Sequence, residues 1–303
     1  MDQASYPPDR SRADARSSLR LFIALLRPKQ WTKNLLLFAA PLFSIRQVSG
    51  EELLYSLLGF LLFCFVSGAV YVLNDYMDRE ADRLHETKRH RPLASGRLDP
   101  NAALAGGALL LIGSLAAAIW AKPLFALILF VYFALNIGYS LYLKHLVILD
   151  IMIIAAGFVL RALAGGVMIG VSFTPWFLLC TMLLSLFLAI GKRRHELSMP
   201  AKEGEAHRKV LGSYSIALLD QLNGIVTTSA IICYSLFTFT SGRTIHLMWT
   251  IPLVLYGIFR YLYLIHIEGK GGAPDRILLE DKPIMAVVIL YGVSVAAILL
   301  IFE

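Results

Sequence analysis

The feature that most constrains this chain is a series of apolar runs, each close to the roughly 20 residues that cross a bilayer as a helix. They fall at about 21–43, 52–74, 100–121, 124–142, 147–169, 175–191, 219–241, 248–266 and 283–302. Nine such runs spread over the whole length exclude a soluble domain with a single anchor. The expected fold class is an all-α polytopic membrane protein with about nine transmembrane helices. Residues 20–303 are expected to form one integral membrane domain, and residues 1–19 a flexible cytoplasmic tail. The polar first twenty residues, with Arg10, Arg12, Arg16 and Arg20, do not read as a secretory signal peptide.

The charges sort with these runs. With the N-terminus in the cytoplasm and the sides alternating, segments 1–33, 74–99, 142–146, 192–218 and 260–282 fall on the cytoplasmic side. They hold 24 of the 28 Lys and Arg residues. Only Arg46, Lys122 and Arg243 fall on the opposite side, and Arg161 lies inside a run. That asymmetry is the positive-inside pattern. The net charge of +7 is therefore a sign of topology and not of nucleic-acid binding. The expected location is the cell membrane, with the chemically active face in the cytoplasm.

The second run leads directly into Asn74-Asp75-Tyr76-Met77-Asp78-Arg79-Glu80-Ala81-Asp82-Arg83. If the helix continues, Asn74, Asp78 and Asp82 lie on one face at i, i+4 and i+8. Like charges one turn apart cost about 0.2–0.5 kcal/mol on a helix, and the C-terminal end of the macrodipole disfavours carboxylates as well. A bound cation reverses both penalties. Arg83, Lys88, Arg89 and Arg91 follow at once. Acids and then bases at the mouth of an apolar helix read as metal plus phosphate; the plainer alternative is a charged loop with an ordinary Asp75–Arg79 pair.

Other polar residues gather on the same side. Tyr139, Lys144 and Asp150 flank the connection between the fourth and fifth runs, and Arg161 lies three turns beyond Asp150. Ionisable groups inside a span usually face a cavity or a partner, so Asp150 and Arg161 are either a second polar set or structural ion pairs. Gly191-Lys192-Arg193-Arg194-His195-Glu196 is ordinary positive-inside sequence or a phosphate contact. Arg260 precedes a glycine-rich loop, residues 269–276, which is a mobile cover or a plain connector. The three cysteines lie in apolar runs and suggest packing. Gly106-Gly107 and Gly165-Gly166 permit close helix approach and leave a homo-oligomer open.

The Asn-Asp-x-x-Asp-x-x-x-Asp pattern at 74–82, the Lys-Arg-x-Arg-Pro-Leu-Ala-Ser-Gly stretch at 88–96 and the Tyr-x-x-x-x-Lys…Asp pattern at 139–150 resemble the UbiA superfamily of intramembrane prenyltransferases. Three further stretches resemble its decaprenyl-phosphate phosphoribosyltransferase branch: residues 27–34, 191–197 and the region from Arg260-Tyr261 to Asp281-Lys282-Pro283. The resemblance implies nine helices around a central cavity and Mg2+ held by aspartate-rich motifs. The second motif is thinned here to Asp150. The branch implies 5-phosphoribosyl 1-diphosphate as donor and a polyprenyl phosphate as acceptor within the membrane lipid.

On that resemblance, Asn74, Asp78 and Asp82 are the expected magnesium ligands, with Asp75 a ligand or a neighbour of one. Asp78 and Asp82 thereby join the catalytic set, and Asp150 joins it by meeting the ribose. Lys88, Arg91, Lys144 and Arg161, with Tyr139, are candidates for the diphosphate or lipid phosphate. Lys29, Lys33, Lys192, Arg193 and Arg260 are candidates for the 5-phosphate or the lipid phosphate. Two alternatives remain: a prenyltransferase acting on an aromatic or other acceptor, and a transporter. The transporter requires ionisable groups on both sides of the midplane, whereas here they cluster on one.

Overall fold

The computed structural model describes residues 10–86, 88–199, 209–272, 274, 277 and 280–303. Part of the expected tail (1–9), and residues 273, 275 and 276 of the glycine loop, lie outside the described residues. Every regular element among the described residues is helical. They are α1 (Arg10–Leu25), a 3-10 segment (Pro28–Phe38) running into α2 (Ala39–Phe43), α3 (Gly50–Met77), α4 (Arg79–Leu84), α5 (Pro100–Ala121), α6 (Pro123–Leu141) and α7 (Leu149–Ile169). After these come α8 (Pro175–Ser198), α9 (Ile216–Thr240), α10 (Ile251–His266) and α11 (Lys282–Phe302). Among the described residues, eight helices are long and apolar enough to cross a membrane, counting the 3-10 turn Ile245–Thr250 with α10.

The helix starts follow from local chemistry. Ser49, Asp99, Thr174, Ser215 and Asp281 each accept a backbone N–H from the first turn they precede. Proline occupies the first turn of α5, α6, α8, α10 and α11, where a missing N–H costs nothing. Ser49 and Glu52 form a reciprocal capping box at the start of α3.

The first run departs from the regular helix expected over 21–43. Pro28 cannot continue α1, and Arg27 before it takes φ 51°, a left-handed turn. The chain resumes as a 3-10 helix and then α2. At the rises of these two forms, residues 28–43 cover about 30 Å, the thickness of a bilayer's hydrocarbon core. The backbone of this segment lies directly on α7: a Cβ added to Gly165 would overlap the Leu37 carbonyl oxygen. Residues 10–19 are helical, as the start of α1.

α3 packs against α5, α6 and α7, α7 against α8, and α8 against α9, while α10 pairs with α11. One apolar core joins α3, α6 and α7 through Phe63, Phe125, Leu129 and Met168. Another joins α2, α9 and α11 through Phe43, Phe237 and Leu299. Outward-facing Leu109, Ile112, Trp120 and Ile289 are exposed, as lipid-facing residues are. The two ends differ. At one, Arg46 donates to the Leu300 carbonyl at 2.9 Å and Arg243 pairs with Glu303 at 2.8 Å. The other end, which holds the C-termini of α3, α6, α8 and α10, carries nearly all the remaining ion pairs.

Candidate active site

Two clusters of buried charge occupy that polar end. The first lies where α3 gives way to α4. The helix breaks at Asp78 (φ −87°, ψ 0°). Asp78 N–H nevertheless donates to the Asn74 carbonyl at 2.9 Å, and Asp82 N–H to the Asp78 carbonyl at 2.8 Å. The three residues expected on one face thus remain stacked by helical hydrogen bonds, although their environments differ. Asp82 is buried and Asp78 exposed, and Asn74 Oδ1 is a buried acceptor with no hydrogen-bond partner.

Asp75, buried beside Asn74, is the hub. Arg27 Nη2 lies 2.6 Å from Asp75 Oδ1. Arg91 Nη1 contacts both Asp75 Oδ1 at 3.1 Å and Asp82 Oδ2 at 2.6 Å. Two guanidinium groups therefore offset the repulsion between two buried carboxylates. Arg27 also stacks on the Tyr71 ring, 4.7 Å from its centre. Arg91, expected at a phosphate, is here the bridge between acids. Arg27 received no role from the sequence, although its position just before Pro28, at the start of an apolar run, was a signal.

The second cluster joins α6, α7, α8 and the residues before α9. Asp150, with no exposed surface, accepts from Arg193 Nε at 2.7 Å and from the Tyr214 hydroxyl at 2.6 Å. Arg193, 1% exposed, also donates to Glu196 at 2.6 Å and to the Tyr139 hydroxyl at 3.1 Å. Tyr214 in turn accepts the Ile148 N–H at 2.7 Å. Burial, and then its hydrogen bond to Asp150, push the Tyr214 hydroxyl well above the usual tyrosine range. Nothing in the sequence pattern marks Tyr214 or Glu196 as partners of Asp150, because their pairing is set by how α7, α8 and α9 pack.

Several residues expected to meet substrate also hold protein partners. Asp150 has both oxygens occupied, and Arg193 holds it. Arg260 is tied to Asp281 at 2.8 Å and Glu268 at 3.6 Å, linking α10 to α11. Arg161 donates to Asn34 Oδ1 at 2.8 Å, the Gly157 carbonyl at 2.9 Å and the Tyr132 hydroxyl at 2.9 Å. It lies among the rings of Phe63, Tyr132 and Phe158. Eleven residues beyond Asp150 on α7, it sits about 16 Å deeper, below the polar end, where it pins the broken first segment to α6 and α7. Lys29 is exposed, and Lys33, Lys88, Lys144 and Tyr139 are half-buried. Lys192 lies 3.9 Å from Glu196.

The donors around 74–82 are all hard oxygens, and a buried one is unpartnered. Among the described residues no three His, Cys, Asp or Glu side chains converge as a complete metal cage. This set fits magnesium, which takes one or two carboxylates and completes its shell with water and phosphate oxygens. A surface pocket bounded by Phe43, Phe173, Thr174, Phe177 and Arg243 lies at the opposite end. Its Arg243 is paired with Glu303.

The molecule is thus an all-helical bundle of membrane-spanning length with an acid-rich helix break at its polar end. The chain belongs to the UbiA prenyltransferase family, which it matches over residues 35–277. It is 36% identical over 276 residues to a decaprenyl-phosphate phosphoribosyltransferase of Mycolicibacterium smegmatis, covering 86% of each chain. The protein of that description from Mycobacterium tuberculosis is 33% identical over 280 residues, covering 91% of this chain and 93% of its own length. The fold is similar to that of a UbiA homologue from Archaeoglobus fulgidus bound to DMAPP and Mg2+. That likeness has a TM-score of 0.68 at 22% identity, over 92% of this chain and 99% of the other.

Proposed function

We propose that this membrane transferase moves 5-phosphoribose from 5-phosphoribosyl 1-diphosphate to a polyprenyl phosphate, releasing diphosphate, as a source of arabinose units for cell-wall polymers. The observation that carries this reading is the 33–36% identity, over most of both lengths, to phosphoribosyltransferases of that description. The polar end supports it with oxygen donors for a metal–diphosphate and with lysines for further phosphates. On the charge asymmetry, that end and the N-terminus face the cytoplasm.

In this reading Asn74, Asp78 and Asp82 would hold Mg2+, with Asp75 beside them. Held there, Mg2+ would supply positive charge to the departing diphosphate. Arg27 and Arg91 hold Asp75 and Asp82 together. Lys88 and Lys144 serve the diphosphate and the lipid phosphate, and Lys29 and Lys33 the 5-phosphate. The bond from C1 to the diphosphate oxygen breaks, and C1 bonds to an oxygen of the lipid phosphate. That oxygen is already anionic, so no general base is required, and positioning two anions is the main task. Asp150 is held in place by Arg193 and Tyr214.

The test supplies purified protein in detergent with magnesium, a polyprenyl phosphate and either the ribose donor or a prenyl diphosphate. Diphosphate release is expected only with the ribose donor, and only when the lipid phosphate is present. Consumption of the prenyl diphosphate with an aromatic acceptor would instead assign the chain to the isoprenoid-transferring members of its family.

A further inference from the structure

The α6–α7 connection, residues 142–148, ends in a conformation its sequence disfavours. Ile148 has φ 71° and ψ −46°. For a β-branched residue a positive φ is a steric outlier, and it persists only where the surroundings hold it. Side-chain packing does not hold Ile148, which is 48% exposed. A hydrogen bond does: its N–H donates to the Tyr214 hydroxyl at 2.7 Å, and that hydroxyl donates to Asp150 Oδ1 at 2.6 Å. The other oxygen of Asp150 takes Arg193 Nε at 2.7 Å, and Arg193 Nη2 reaches the Tyr139 hydroxyl at 3.1 Å, on the last turn of α6. Both ends of the connection are thus tied to one buried pair. Tyr214 belongs to a different part of the chain, just before α9, and is 6% exposed.

We infer that Tyr214 is a positioning residue: its hydroxyl holds the strained turn at Ile148 and so fixes Lys144, on the same connection, where the diphosphate of the donor binds. The role given to Lys144 rests on the proposed function; the clamp itself does not. Without the hydroxyl, the Ile148 N–H has no partner to offset its strain, and the connection relaxes. The chemical step depends on the acids of α3 and α4, so the loss falls on donor affinity rather than on turnover.

Tyr214→Phe removes the hydroxyl and keeps the ring. Hydrogen exchange of the peptide covering residues 142–150 is expected to quicken about tenfold, the scale of one buried hydrogen bond. KM for the ribose donor is expected to rise by about the same factor, with kcat little changed. Adding Ile148→Gly, which accepts positive φ without strain, should restore most of the affinity. Unchanged exchange overturns the clamp. Faster exchange with unchanged KM, or equal loss of kcat and KM that Ile148→Gly does not restore, overturns the positioning role. If the wild type does not use the ribose donor, the proposed function fails, and the exchange measurement still decides the clamp. Should Tyr214→Phe not fold, Ile148→Gly alone is expected to raise the melting temperature, and a fall would overturn the strain.

Discussion

Arg161 shows what a single residue does in this bundle. A guanidinium at that depth is costly unless its donors are satisfied, and here three of its nitrogens are bound and no carboxylate pairs with it among the described residues. Arg161→Ala would leave Asn34 Oδ1 and the Tyr132 hydroxyl without their donor. We expect a loss of about 2–4 kcal/mol, since each orphaned buried group costs roughly 1–3 kcal/mol. Arg161→Lys should recover less than half of it, because an ammonium cannot reproduce the planar fork. Thermal unfolding in detergent measures both. That an arginine stood inside a span was legible in the sequence, and so was its need for a partner. Which partners it takes was not: Asn34 lies 127 positions away, and its approach depends on a break in the first segment. Asp150 teaches the same lesson. Its presence in the span marked it as important, but its role as an anchor for Arg193 and Tyr214 emerges only from packing.

At the scale of elements, the sequence located most spans closely. The run expected at 100–121 is α5, Pro100–Ala121, and proline and capping residues announce most other starts. α8 outran its expected end at 191 and continues to Ser198: its last turns are polar, and Asp150 and Asp220 take their arginines. The first run was the clear departure, because apolar periodicity does not report a backbone break forced by Pro28 and accommodated at Gly165. Gly165→Ala puts a methyl carbon against the Leu37 carbonyl. Neither backbone can yield easily, so we expect destabilisation of about 1–3 kcal/mol, read as a lower melting temperature. At the other side of the bundle, Asp281 caps α11 and receives Arg260 from α10. That hydrogen bond holds the Asp281 carboxyl below the usual carboxylate range. A depressed carboxylate stabilises above its unfolded pKa and loses that contribution as pH falls through its folded value. Asp281→Asn keeps a cap but drops the charge. It should melt below wild type at pH 7, and the difference should narrow as pH falls below about 4.

For the whole molecule, the sorting of charge by side was legible before any contact was known. The structure gathers the same segments at one end: Arg27 with Asp75, Asp150 with Arg193, Arg194 with Asp220 and Arg260 with Asp281. On the opposite side, Arg46 and Arg243 meet the C-terminal end of α11, and Lys122 lies over the Tyr55 ring. Such a molecule concentrates its electrostatics where a soluble anion and a lipid headgroup meet, and leaves the rest of its surface to lipid. In the proposed reading its site would have two parts, an acidic helix break for metal and diphosphate and a buried Asp150–Arg193 pair beside the α6–α7 turn.

The central claim is tested most directly by the lipid product. Protein in detergent, with magnesium, the ribose donor and a polyprenyl phosphate, is followed by mass spectrometry, with Asp78→Ala alongside. Asp78 is the informative position, because it is exposed and stands outside the Arg27–Asp75–Arg91–Asp82 network, so its loss should spare the fold. The account predicts a polyprenyl phosphate heavier by one phosphoribosyl unit, absent or reduced at least about a hundredfold in the variant. An unmodified lipid from active, folded protein, or a product that Asp78→Ala forms at the wild-type rate, would contradict it.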